Sequence, residues 1–202
     1  MTQAPVHGRG GQPPHGFDFT HHVARLCADM AAEVDEFRHI DMSRVAVSFR
    51  QTRRRMSRGL YASLTPLRFA GGQTHSIRRG RKWAIQRVEV DGREMLYVLN
   101  FYLPRFLDLC FREKLTTIAH ELLHISPQFD GDLRRFSGRC YAHSHSHTQF
   151  DAQAEQLAQR WLARGPEQSL YGFLHMDFVR LQAFHGGIYG RRIAAPKLLP
   201  AE

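Results

Sequence analysis

Five consecutive residues, His120-Glu121-Leu122-Leu123-His124, combine two imidazoles and a carboxylate at a spacing that suits metal chemistry. Residues four apart lie one turn apart on the same face of a helix, so His120 and His124 can bind one metal ion together. Glu121 is rotated by about 100° from His120, and its carboxylate then lies beside the metal, where it can accept a proton from water. The pattern predicts two metal ligands and a general base on one helix.

A third ligand must come from elsewhere, because a catalytic zinc ion normally has three protein ligands and one open position. Asp130 follows His124 at a spacing like that of metzincins, although Pro127 stands where those proteins have glycine. The other candidates alternate along one downstream segment, and they are His143, His145 and His147. We favour His143, because it ends a loop that can fold back over the helix, and His147 and His145 remain alternatives.

Hydrolysis is the reaction that this set of residues supports. Zinc lowers the pKa of a bound water and polarises a carbonyl, while Glu121 takes the proton and passes it to the leaving amine. We therefore expect a zinc-dependent metallopeptidase with Zn²⁺ held by His120, His124 and His143, acting on a peptide or protein substrate. Candidate donors to the oxyanion are close in sequence, namely Tyr141, Arg134 and whichever of His145 or His147 does not bind zinc.

Four segments show the apolar periodicity of helices and are candidates to position these residues. The first spans about 20–38. The motif helix spans about 104–125 and ends there because Pro127 disfavours helical geometry at the residue before it. Two further helices are expected at about 147–164 and 169–184. The motif thus lies in the last turn of its helix, and the candidate third ligands precede the next helix.

Extended segments supply the rest of the expected fold. Alternation at 45–49 and an extended run at 60–69 predict two strands, and Pro66 indicates that the second is either an edge strand or a broken one. A β-hairpin is expected over 82–102, because Asp91-Gly92 favours a tight turn with positive φ. These elements predict an α+β fold with a mainly antiparallel or mixed sheet of about four strands and flanking helices.

Composition limits the class of protein. The chain has 202 residues, of which 43% are hydrophobic, enough for the core of one domain. We expect a disordered leader over 1–16, rich in Gly and Pro, and a single domain over 17–200. No apolar run approaches the length of a membrane span and no secretory signal is visible, so a cytoplasmic location is expected. Three distant cysteines argue against a disulfide framework, and Cys27 and Cys110 are expected to be buried thiols.

A longer segment around the motif resembles a known family. Residues 115–125, followed by Phe129-Asp130-Gly131-Asp132-Leu133-Arg134-Arg135, resemble the phage-type metallopeptidase domain family and, more distantly, SprT-like and other small zincins. The resemblance implies a short single-domain peptidase with an H-E-L-x-H helix, a following G-x-L-R segment and then a ligand histidine. Phe136 stands where that histidine is expected, so the resemblance implies His143 as its counterpart.

The positive net charge makes nucleic acid a second class of partner to consider. The formal net charge is +9, and the basic residues cluster at 50–58 and 78–82. Few aromatic residues are interleaved to stack on bases, which favours a solvated basic face over a nucleic-acid interface. The alternatives to a plain peptidase are a zinc-stabilised nucleic-acid-associated protein and a SprT-like protease that acts on DNA-bound proteins.

Overall fold

The computed structural model describes residues 15–52, 59–135 and 147–201, so that most of the expected leader lies outside the described residues. The α-helices are α1 (Phe19–Glu33), α2 (Phe111–Leu123), α3 (His147–Ala163), α4 (Gln168–Tyr171) and α5 (Phe178–His185). The strands are β1 (Phe17–Asp18), β2 (Val45–Gln51), β3 (Ala62–Pro66), β4 (His75–Arg78), β5 (Arg81–Ile85), β6 (Glu89–Val90), β7 (Arg93–Glu94), β8 (Tyr97–Leu103), β9 (Ile188–Tyr189) and β10 (Leu198–Pro200). This mixture confirms the α+β class. No helix in the described ranges has both the length and the apolar character needed to cross a membrane.

The central sheet has the order β2-β8-β3. Strand β8 pairs parallel with β2 and antiparallel with β3. The outer side of β2 is covered by the C-terminal tail, where the Phe49 amide donates to the Arg191 carbonyl at 3.1 Å and the Ile193 amide donates to Ser48 Oγ at 3.0 Å. Strand β3 is therefore the edge of the described sheet that faces the motif helix, as Pro66 predicts.

The core lies mainly between one face of this sheet and helices α1, α2 and α3. Its most deeply buried side chains include Phe19, Leu26, Met30, Leu99, Phe101, Leu122, Phe150 and Trp161. A smaller cluster covers the opposite face, with Ala46, Leu67, Met95 and Val98 at its centre. Since both faces are covered, β2 and β8 are buried along most of their length.

The motif helix is shorter than predicted, because α2 begins at Phe111 instead of near Pro104. Its first turn is closed by the Glu113 carboxylate, which accepts from the Cys110 amide at 2.9 Å. Phe106 and Leu107 are fully buried within a series of turns, which explains why the sequence there shows apolar periodicity without helical structure.

The last predicted helix is broken into three pieces. After α4, a 3₁₀ turn spans Gly172–His175, and α5 begins only after Asp177. The Asp177 carboxylate accepts from the Arg180 amide at 2.8 Å and so provides a new helix cap.

The prediction of a long β-hairpin over 82–102 is correct for the turn but wrong for the strands on either side of it. Asp91 and Gly92 have φ of 52° and 76°, as a tight turn requires, but only the two-residue strands β6 and β7 pair across them. Strand β5 instead pairs with β4 and β10, and β8 enters the central sheet. The apolar side chains of β8 need cover on both faces, which the hairpin could not supply.

The described cysteines differ from each other in environment. Cys27 is buried as expected, and burial raises the pKa of its thiol to about 12. Cys110 is exposed, contrary to the expectation, because it lies at the N-terminal end of α2.

Candidate metal centre and active-site cleft

The two motif histidines meet at the C-terminal end of α2. His120 lies in the last turn of the helix and His124 is its C-cap residue. Their Nε2 atoms are 3.0 Å apart. Two ligand nitrogens on one tetrahedral zinc ion are separated by ~3.3 Å, because each Zn–N bond is about 2.0–2.1 Å long. The donor set therefore fits a zinc ion after a movement of only a few tenths of an ångström.

Helix α3 supports this pair from the side. Asp151 Oδ1 lies 2.9 Å from His120 Nδ1. When Nδ1 donates a proton to this carboxylate, Nε2 keeps its lone pair, which is the tautomer that a metal ligand needs. The Phe150 ring packs against both imidazoles, with ring centroids 4.8 Å from His120 and 4.7 Å from His124. The orientation of both rings is thus constrained by a second helix.

The end of α2 is fixed by the segment that follows it. The Arg134 amide donates to the His124 carbonyl at 2.7 Å, and Arg134 Nε donates to the Leu123 carbonyl at 2.7 Å. These bonds satisfy carbonyls that a helix end would otherwise leave without partners. Arg134 therefore caps the motif helix, which differs from the oxyanion role considered from the sequence. Tyr141 lies outside the described residues.

Asp132 organises the same segment. Its carboxylate accepts from the Gly71 amide at 2.9 Å, from its neighbour Leu133 at 2.8 Å and from Arg135 Nε at 2.7 Å. Gly131 has a φ of 88°, and a β-carbon there would lie 2.5 Å from the Arg68 side chain. The G-x-L-R pattern thus has a structural explanation as a compact cap on α2.

Asp130 belongs to this cap and not to the histidine pair. Its Oδ1 accepts from the Asp132 amide at 3.1 Å, and its β-carbon lies against Gly72. Across the part of the chain that the structure describes, no three His, Cys, Asp or Glu side chains are grouped closely enough to hold a metal. The third ligand is therefore not found among the described side chains.

Glu121 is buried beside the pair, with only 8% of its surface exposed. Burial raises the pKa of its carboxyl to about 7, and a hydrogen bond with the Leu64 main chain in β3 opposes that shift. The same bond joins the motif helix to the edge strand. A carboxylate held in this position can exchange a proton with a reactant between α2 and β3.

A cleft of about 510 Å³ opens over these residues. His120, Glu121 and Asp151 form one part of its lining, and Leu60 and Tyr61, just before β3, form another. An ion pair between Arg112 and Glu155 connects α2 and α3 at this cleft. A separate cavity of about 470 Å³ lies between α1, β2 and the β6–β7 turn, and it contains no motif residue.

The structure thus brings His120, Glu121 and His124 together, as the motif predicts. His143 and His145 lie outside the described residues, and His147 is the first residue of α3. Asp151 was missed by sequence reasoning. Its signal is its position, four residues after His147 on a predicted helix, where a carboxylate can contact a ligand histidine.

Comparison of the chain with family models, curated proteins and solved structures found no match. A functional interpretation therefore depends on the geometry of the cleft and on the motif itself.

Proposed function

We propose that this protein is a zinc-dependent metallopeptidase. The observation that carries the proposal is the convergence of His120 and His124 Nε2 atoms, 3.0 Å apart, beside the buried carboxylate of Glu121. The motif's resemblance to the phage-type metallopeptidase domain family, and more distantly to SprT-like zincins, supports the same reaction class.

The proposed zinc ligands are His120 and His124 through Nε2 and, as predicted from the sequence, His143. When bound, zinc supplies a Lewis acid that polarises a carbonyl and makes water more acidic. Asp151 keeps a proton on His120 Nδ1 and so holds the ring in its ligating orientation. Arg134 fixes the last turn of α2 by bonding the His124 carbonyl.

Glu121 is the proposed general base. Its carboxylate accepts a proton from the attacking water and later delivers it to the leaving amine. Burial between α2 and β3 limits the competing water around this carboxylate and holds it close to the histidine pair. The role needs both proton uptake and proton release, which a carboxyl with a raised pKa can perform near neutral pH.

A peptide substrate suits the shape of this cleft. Strand β3 is the edge of the central sheet on the cleft side, and the cleft continues past Ala62 to Leu60 and Tyr61. An extended peptide can add to such an edge through main-chain hydrogen bonds. Leu60 and Tyr61 are 61% and 38% exposed and offer apolar contacts to substrate side chains.

The direct test of the base is Glu121→Gln, with Glu155→Gln as the matched control in the same cleft. We expect Glu121→Gln to retain zinc but to lose peptide hydrolysis by at least about a hundredfold, because general base catalysis contributes that much or more. Bound zinc per chain and cleavage of a mixed-sequence peptide library are the measurements. Undiminished cleavage by Glu121→Gln would contradict the assigned role.

The third ligand is tested by separate replacement of His143 and His147 with alanine, with bound zinc measured per chain. We expect zinc to be lost from His143→Ala and kept in His147→Ala. The reverse result would assign the ligand to the start of α3, one helical turn before Asp151. One equivalent of zinc in both variants would exclude both histidines and leave His145 as the candidate to replace next.

A further inference from the structure

A second, three-stranded sheet with the order β10-β5-β4 is separate from the central sheet. We call β4, β5 and the turn between them, residues 75–85, the basic arm, and β10 runs along one side of it. Arg78 pairs with Arg81 next to the turn, and Ile85 pairs with Leu198 at the other end. None of the described residues of these three strands is fully buried, so the arm lies at the surface of the described protein.

The end of the arm has a dense and unbalanced positive charge. Arg78, Arg79, Arg81 and Lys82 are all exposed. The sequence has no Asp or Glu from residue 67 to 88 or from 178 to 201, which includes all three strands. Within the described ranges, no ion pair includes Arg78, Arg79 or Arg81. Arg78, Arg79 and Arg81 therefore concentrate positive charge at the surface, at the end of the arm.

The turn places one of these arginines in a backbone conformation that arginine does not favour. Arg79 and Gly80 have φ of 50° and 72°, the pattern of a type I′ hairpin turn. Asn, Asp and Gly favour the first of these positions, whereas an arginine there is strained. Arg79 is also exposed and gains no burial in return. An arginine at this position is therefore better suited to a contact outside the chain.

The base of the arm is held firmly. The Gln86 amide donates to the Lys197 carbonyl at 2.8 Å, and the Lys197 amide donates to Gln86 Oε1 at 3.2 Å. Ile85 packs on the small cluster around Leu67. At the end of the arm, the Arg78 guanidinium lies 5.8 Å from the centre of the Phe69 ring. Because the ribbon is fixed at its base, it loses little conformational entropy when its charged end binds a partner.

We propose that the basic arm binds double-stranded DNA, with the ribbon in the major groove and its arginines on backbone phosphates. Strand β10 pairs only with Trp83, Ala84 and Ile85, so the end of the arm around the turn is two strands wide. Paired strands lie about 4.8 Å apart, and the major groove of B-DNA, about 12 Å wide, admits a two-stranded ribbon. Arginine binds phosphate through a planar set of donors. Binding of this kind depends on phosphate charge and little on sequence.

Duplex DNA fits the arm better than other nucleic acids. Single-stranded binding depends on bases stacked on exposed aromatic rings, whereas the arm's one aromatic side chain, Trp83, is half-buried. The major groove of duplex RNA is deep and narrow, which excludes side chains from its floor. This inference is independent of zinc binding and of peptide hydrolysis.

The test is fluorescence anisotropy with the full chain and a labelled duplex of about 20 base pairs, at salt concentrations between about 50 and 200 mM. The variant Arg78→Gln/Arg79→Gln/Arg81→Gln is compared with a control that carries three exposed arginine replacements on other elements, Arg25→Gln/Arg164→Gln/Arg180→Gln. We expect the arm variant to lose affinity on the order of a hundredfold at 0.1 M salt, since each phosphate contact adds about 0.9 to the salt slope. The control variant should bind much as the wild type does.

A second variant separates charge from folding. Arg79→Gly removes one charge and relieves the positive φ, so it should fold at least as stably and bind several times more weakly; Arg79→Lys should restore most of the affinity. The proposal is wrong if the wild type does not bind the duplex at low salt, or if the arm variants bind as the wild type does. Tighter binding to single-stranded DNA or to duplex RNA would also contradict it.

Discussion

The end of helix α2 and the end of the basic arm both concentrate groups that can be positively charged, but they do so in opposite environments. At α2, His124 and Glu121 are buried, and the helix end is bonded by Arg134. At the arm, residues 77–82 are all exposed. A site that must hold reacting atoms within tenths of an ångström needs fixed surroundings, whereas a phosphate contact needs mainly accessible charge.

The two regions also differ in the environment that each gives to an arginine. The Arg134 guanidinium is partly buried and donates to a carbonyl at 2.7 Å, which makes it part of the fold. Arg79 has a strained backbone, an exposed side chain and no ion pair within the described ranges. Replacement should therefore change stability in the first region and binding in the second.

The largest expected difference comes from apolar truncation in each region. Leu122→Ala removes a fully buried side chain next to the motif histidines and should lower the free energy of unfolding by about 2–5 kcal/mol. Ile77→Ala acts on a side chain in the arm that is 73% exposed and should change it by no more than about 0.5 kcal/mol. Urea unfolding measures both, and similar losses would show that the arm is packed like the core.

Glu121 should make the stability of the metal-free protein depend on pH. The pKa of its carboxyl is raised from 4.5 to about 7 by folding, so ionisation above pH 7 disfavours the folded state, whereas below pH 4.5 the group is neutral in both states. In a chelator, Glu121→Gln should therefore be more stable than the wild type by about 3 kcal/mol at pH 8, at 1.36 kcal/mol per pKa unit. This gap should close towards pH 4.5, and a gap independent of pH would contradict the burial of the carboxylate.

Replacement of Asp151 tests whether α3 positions His120, a proposed metal ligand. Asp151→Asn keeps the shape of the side chain but weakens the charge-assisted bond to His120, so zinc affinity should fall by about 10–100-fold. Competition with a chromophoric chelator measures it. Glu155→Gln, one turn further along α3, should leave the affinity unchanged, and equal behaviour of the two variants would remove Asp151 from the site.

The smallest effect is expected at the turn of the arm. Arg79→Gly should raise the free energy of unfolding by at most about 1 kcal/mol, because glycine adopts positive φ without the steric cost of a β-carbon. The measured shift in melting temperature should be small and upward. A clear loss of stability would mean that Arg79 supports the fold, as Arg134 does at the end of α2.

Local signals in the sequence predicted the features that depend on nearby residues. The periodicity of α1 predicted the burial of Val23, Leu26 and Met30, and Pro66 predicted the edge position of β3. The motif spacing predicted that His120 and His124 would face each other. Each of these predictions depends on contacts within a turn or along a single strand.

Features that depend on distant residues were not predictable in the same way. The parallel pairing of β8 with β2 joins residues about fifty positions apart, and because both strands are buried on both faces, their apolar pattern does not indicate which strands they pair with. Asp151 reaches His120 only because α3 packs beside α2. The break before α5 depends on Asp177, whose carboxylate caps a new helix there. The apolar periodicity of the sequence continues on both sides of this break and so does not indicate it.

The most direct test of the account is X-ray absorption at the zinc edge of protein loaded with one equivalent of the metal. We expect a four-coordinate site with imidazole nitrogens at about 2.0–2.1 Å, three protein ligands and one position open to solvent. His120→Asn/His124→Asn should abolish this signal. Four protein ligands would indicate a structural zinc site in a nucleic-acid-associated protein, and a spectrum unchanged in the double variant would contradict the proposed metal centre.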